Sequence, residues 1–115
     1  MRDSTIQSII KEIKSIKTSL KGEITDSQAF AIMYITRDAG YGCSLEENGF
    51  LQLIFGDDMV HNLSKANAFR FIEYFGEKVD GKWYVNKDRL GDFWLLYHEM
   101  MKLDGQPMMF KEDKW

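Results

Sequence analysis

The chain has 115 residues, 44% of them hydrophobic and 14% aromatic, which is too apolar for disorder and enough for one core. Its formal net charge of -3 argues against a protein that coats nucleic acid, and its single cysteine, Cys43, excludes an internal disulfide and a multi-cysteine zinc site. No apolar run approaches the ~18–20 residues of a membrane span, and the start leads into a polar helix rather than a signal segment; one cytoplasmic domain, residues 1–115, is expected.

Ser4 and Gln7 form a Ser-x-x-Gln capping pattern and Gly22 offers a stop, which predicts an amphipathic helix over 1–22. Ile6, Ile9, Ile13, Ile16 and Leu20 repeat at spacings of three and four, with Ile10 widening the stripe into two heptads of a and d positions. Such a stripe either docks on its own domain or pairs with a second copy as a homodimer. Lys11, Lys14, Lys17 and Lys21 lie largely away from it. They form either a solvated face or a contact for a partner. Residues 1–22 hold five basic and two acidic groups, whereas residues 23–63 hold one basic and seven acidic groups. The basic helix and the acidic middle attract each other.

A second helix is predicted over 27–39, opened by Thr25 or Asp26, with Thr25 and Gln28 at capping-box spacing, and closed by Gly40. Ala29 to Ile35 leave almost no polar face, which predicts a buried central helix. After the loop Gly40-Tyr41-Gly42-Cys43, a third helix is predicted over 45–55, capped by Ser44 with Glu47 and weakened at Gly49. A fourth, about 65–75, follows Ser64, with Ala68, Phe69, Ile72 and Phe75 inward. Asp80-Gly81 between Lys78-Val79 and Lys82-Val85 predicts a tight hairpin with a type I′ turn. The last helix starts at Asn86 or Asp88 and carries Leu90, Phe93, Trp94, Tyr97, Met100, Met101 and Leu103. The fold class is therefore mainly α (α+β): about five helices and one small β-hairpin near 78–85, with a tail over 104–115.

Catalytic chemistry has little to stand on. His61 and His98 are isolated from each other and from any cysteine pair, so no metal site and no cofactor is expected. Cys43 acting with either histidine as a nucleophile is the weaker reading beside a plain loop thiol. Glu46-Glu47 and Asp57-Asp58 fit helix starts, where carboxylates meet free amides, better than a magnesium site. No phosphate-cradling glycine pattern is present, and a non-enzymatic protein is expected.

The helix with Lys65, Asn67 and Arg70, the hairpin Glu77 to Val85, and the helix start Asn86-Lys87-Asp88-Arg89-Leu90 together resemble the recognition helix, wing and following helix of excisionase-like and MerR-like winged-helix domains. The resemblance covers under a third of the chain. It implies DNA binding, with Lys65, Asn67 and Arg70 toward the major groove and Lys78, Lys82 and Lys87 on phosphates. The long connection before Ser64 and the acidic middle depart from that pattern.

The other reading is protein recognition. Met108, Met109, Phe110 and Trp115 fall beyond the predicted helices, as either a lid on the core or an exposed anchor. In style the chain is similar to small phage and plasmid accessory proteins that inhibit a host defence or nucleic-acid-processing complex. On this reading a host or cognate protein is the partner, and Lys11, Lys14, Lys17, Phe110 and Trp115 are the candidate contacts.

Overall fold

The computed structural model describes residues 4–56 and 60–104. Helix α1 spans Ser4–Lys14, α2 Asp26–Asp38, α3 Ser44–Phe55, α4 Lys65–Phe75 and α5 Leu90–Asp104. Short 3-10 turns at Val60–Asn62 and Lys87–Arg89 precede α4 and α5. Strands β1 (Gly76–Val79) and β2 (Lys82–Val85) make one antiparallel hairpin, so the fold is mainly α with a small β element. Among the described residues no helix is long and apolar enough to cross a membrane. Asp57-Asp58 and the tail with Phe110 and Trp115 lie outside the described residues.

Local chemistry sets most element starts. The Thr25 hydroxyl accepts from the Gln28 backbone N–H, and the Gln28 side-chain Oε1 accepts from the Thr25 N–H, both at 3.1 Å, closing the capping box of α2. Ser64 Oγ accepts from the Asn67 N–H at 3.0 Å to open α4. Helix α3 begins one residue earlier than its Ser44–Glu47 pattern suggests. Glu46, buried, takes the Cys43 N–H at 3.3 Å, and Ser44 is already helical.

The first helix is shorter than its hydrophobic stripe. It stops at Lys14 instead of running to Gly22. The Ser15 hydroxyl donates back to the Lys11 carbonyl at 2.6 Å, a bond that competes with helix propagation. Farther on, the chain is drawn out to meet the entry of α4. Ile24 N–H donates to Leu63 O at 3.1 Å, and Lys65 N–H donates to Gly22 O at 2.8 Å. A helix continued to residue 22 would forfeit those bonds.

In the hairpin, Asp80 (φ 52°) and Gly81 (φ 79°) both take positive φ, as a type I′ turn requires. The register pairs Val79 with Lys82, Lys78 with Trp83, Glu77 with Tyr84 and Gly76 with Val85. Val85 faces the core and Trp83 packs half-buried against it.

The core gathers around Phe93, which is fully buried. Its ring centroid lies 4.1 Å from Phe75, 5.1 Å from Phe50, 5.8 Å from Tyr41 and 6.1 Å from Phe71. On α4 the inward residues are Ala68, Phe71, Ile72, Tyr74 and Phe75; Phe71, rather than Phe69, takes the deep position. Gly49, expected as a weak point of α3, lies at its contact with α5. A Cβ there would run into Met100 Sδ, so its lack of a side chain lets α3 and α5 approach closely. A polar girdle joins α1, α4 and α5. Tyr74 donates its hydroxyl to Asp92 at 2.5 Å, and the Arg89 guanidinium lies 3.9 Å over the Tyr74 ring while facing Asp92 and Glu12 at 3.8 and 3.7 Å. Burial first, then the bond to the Asp92 carboxylate, pushes the Tyr74 phenol well above its ordinary pKa and keeps it a donor.

Candidate functional site

Helix α2 is apolar nearly all round, yet it is not buried all round. Ala31, Ile32, Ile35 and Thr36 face the core. The Thr36 hydroxyl is satisfied within the helix, donating to Ile32 O at 2.9 Å and Met33 O at 3.0 Å. The opposite side carries Phe30 and Tyr34, one helical turn apart, 55% and 48% exposed, with rings stacked at 6.3 Å. These two rings correct the expectation of a wholly buried central helix. Among the described residues, only one side of α2 has neighbours to pack on.

Strand β2 runs beside this helix. The Asp38 carboxylate on the last turn of α2 accepts the Val85 N–H at 2.9 Å and pins the two together at one end. Toward the hairpin turn a recess opens, with a volume of about 430 Å³, lined by Tyr34, Gly81, Lys82, Trp83 and Tyr84. Tyr84 is 41% exposed. The Lys78 ammonium stands 5.6 Å from the Trp83 ring centroid, a cation–π contact that keeps positive charge beside the recess. Phe30, Tyr34, Trp83 and Tyr84 thus give one surface its aromatic character, and Lys82 and Lys78 its charge.

The predicted site residues are distributed elsewhere. Lys11, Lys14 and Lys17 are exposed on α1 and just beyond it, apart from the aromatic recess. Ile6, Ile9 and Ile13 of the proposed dimer stripe are buried in the domain's own core together with Ile10. Ile16 packs partly against that core, and Leu20 lies exposed beyond the end of α1. The docked alternative is the arrangement present.

Among the DNA-contact candidates, Lys78, Lys82 and Lys87 are exposed. Arg70 and Asn67 are engaged inside the fold. Arg70 Nε donates to the Ile16 carbonyl at 2.8 Å, and its Nη1 donates to Asn67 Oδ1 at 2.7 Å. Lys65 is half-buried, with its carbonyl accepting from Gln28 Nε2 at 3.2 Å. Only Glu73 of α4 is exposed. Arg70→Ala is expected to lower the unfolding free energy by about 1 kcal/mol, measured by urea titration, because it strands the carbonyl where α1 gives way to loop. An unchanged midpoint would show that water satisfies that carbonyl equally well.

Two further places hold chemical groups. Cys43, Glu46, Tyr41 and Tyr97 share a corner between α3 and α5, with the two tyrosine rings 5.0 Å apart. Burial and then the Glu46 carboxylate raise the pKa of both tyrosines. Burial also raises the Cys43 thiol, the opposite of what an activated nucleophile needs. Glu47 beside them is raised by burial against the pull of Arg37, and its Oε2 has no hydrogen-bond partner among the described residues. On α5, Trp94 is 55% exposed and lies 4.1 Å from the His98 ring, with Leu90 exposed on the same helix. Among the described residues, nothing covers the Trp94 side of α5. Among the described residues no cluster of histidine, cysteine and carboxylates could hold a metal ion.

Sequence reasoning did not single out Phe30, Tyr34, Trp83 or Tyr84 as a surface. The one available signal was that α2 has more apolar residues than one buried face needs. In comparisons with known proteins, the chain matches no family model, no curated protein and no solved structure.

Proposed function

We propose that this chain is a non-enzymatic protein-binding module that meets its partner through the aromatic surface shared by α2 and the hairpin. The observation that carries the reading is the exposure of Tyr34 and Tyr84 on an open recess, with exposed Phe30 stacked beside Tyr34, in a domain with enough interior to bury other rings completely. Aromatic side chains are enriched at the centres of interfaces, where they supply large contact area at low entropic cost. A role as an inhibitor of a host defence or nucleic-acid-processing complex, of the kind small phage proteins play, needs only such a surface.

The test places a photo-crosslinking phenylalanine analogue at Phe30, and separately at Glu73 as a control, in full-length protein exposed to lysate of the source cells with nuclease present. Cross-linking of one protein from position 30 and not from position 73 is expected. Tyr34→Ala should then weaken that partner by about 2 kcal/mol, the scale of an interface hot spot, with the melting temperature unchanged. Equal labelling from both positions, or capture that disappears with nuclease, would refute the reading. The latter result would put nucleic acid in the partner's place.

A further inference from the structure

Lys82, Trp83 and Tyr84 are consecutive residues of an extended strand, so their side chains alternate between the two faces of the hairpin. A recess lined by all three consecutive residues and by Tyr34 of the neighbouring α2 fits the edge of the strand. The register says which backbone groups look into it. Val79 and Lys82 flank a two-residue turn and bond to each other, so the next pair, Lys78 and Trp83, directs its N–H and C=O groups outward, and the Gly76–Val85 pair does the same.

Val85 marks the direction, because its N–H reaches Asp38 on α2. Tyr34 stands one turn before Asp38, and Trp83 stands two residues before Val85. At that level the recess lies between helix and strand. No backbone or side-chain group among the described residues takes the Trp83 N–H on this edge.

We propose that this slot receives an extended, acidic-apolar peptide segment of a partner protein, which adds to β2 as a short third strand opposite Trp83. An unpaired strand edge is a template for another chain, with main-chain bonds providing affinity and pockets for alternate side chains providing selectivity. The Tyr34 and Trp83 rings receive the apolar side chain. Lys82 is the one charged residue lining the recess, and Lys78 adds a second cation over Trp83, so the flanking residues are carboxylates. Asp38 already occupies the Val85 N–H, which limits the added strand to the residue facing Trp83 and its immediate neighbours. The inference rests on the protein-binding reading above and names the partner's chemistry.

The experiment selects short random displayed peptides on the full chain, then measures amide hydrogen exchange of the isotope-labelled protein with each recovered peptide. Recovered peptides should place an apolar residue next to Asp or Glu and slow exchange of the Trp83 amide by about tenfold or more. Affinity should fall at least about tenfold on Lys82→Glu, with folding intact because Lys82 is exposed. N-methylation of the peptide amide opposite Trp83 should do the same. Peptides that bind the Phe30–Tyr34 rings while the Trp83 amide exchanges freely would overturn strand addition and leave the protein-binding surface standing. Recovery of no peptide, with a partner still cross-linked from position 30, would have the same meaning. Failure of both experiments would remove the underlying reading as well.

Discussion

Phe93→Ala should lower the unfolding free energy by about 3–5 kcal/mol, the usual effect of deleting a fully buried aromatic ring. Phe93 is fully buried and touches the rings of Phe50, Phe71, Phe75 and Tyr41, so its removal leaves a cavity walled by helices α3, α4 and α5. Those rings are themselves packed edge-to-face and tilted, and they cannot all collapse inward without breaking their other contacts. Domains of this size have about 5–15 kcal/mol in hand, so the variant is expected to sit near the edge of folding at ordinary temperature. Urea unfolding followed by tryptophan fluorescence measures the change. A loss below about 1 kcal/mol would mean that the five-ring cluster is not the centre of the core. Phe93→Leu, which keeps most of the volume, should recover most of the loss.

Gly76→Ala is the second large effect and has a different cause. Gly76 ends α4 and begins β1 with φ -104°, a conformation any residue adopts, so backbone strain plays no part. The obstacle is space. A Cβ at this position would lie 2.5 Å from Ile35 Cδ1, 2.7 Å from the Ile72 carbonyl oxygen and 3.1 Å from Trp83 Cε3. The Ile35 methyl can swing aside, but the Ile72 carbonyl belongs to the helix backbone and cannot. Overpacking of this kind costs about 1–3 kcal/mol. Gly91→Ala is the control, since nothing lies within 4 Å of its added Cβ. That change should be neutral or slightly stabilising through helix propensity. If both variants melt together with the parent protein, α2 and the hairpin are not packed as described, and the recess between them loses its wall.

These two substitutions also bear on the binding surface. Gly76 sets how closely α2 lies against the hairpin, and that approach places Tyr34 beside the edge of β2. A Gly76 variant that folds but is pushed apart should weaken peptide binding without any change in the aromatic residues themselves. Phe93, which does not line the recess, should affect binding only in proportion to the unfolded fraction.

Much of the fold was legible in the sequence because its signals act over a few residues. Thr25 with Gln28 and Ser64 with Asn67 mark their helix starts by bonds that close within one turn. Asp80-Gly81 specifies a turn whose positive φ angles two residues can adopt by themselves. Five helices and one hairpin follow from such local chemistry together with apolar periodicity. Beyond the local Ser15 bond, tertiary structure decided that α1 does not resume toward Gly22, since the bonds that draw residues 22–24 away come from Leu63 and Lys65, some forty residues on. It also turned Arg70 onto the Ile16 carbonyl with Asn67 bonded to its Nη1, chose Phe71 over Phe69 for the core, and made Gly49 and Gly76 points of close approach. The aromatic surface belongs to this second group. A helix as apolar as α2 can bury only the side that neighbours cover, and nothing within its thirteen residues says on which side those neighbours will stand.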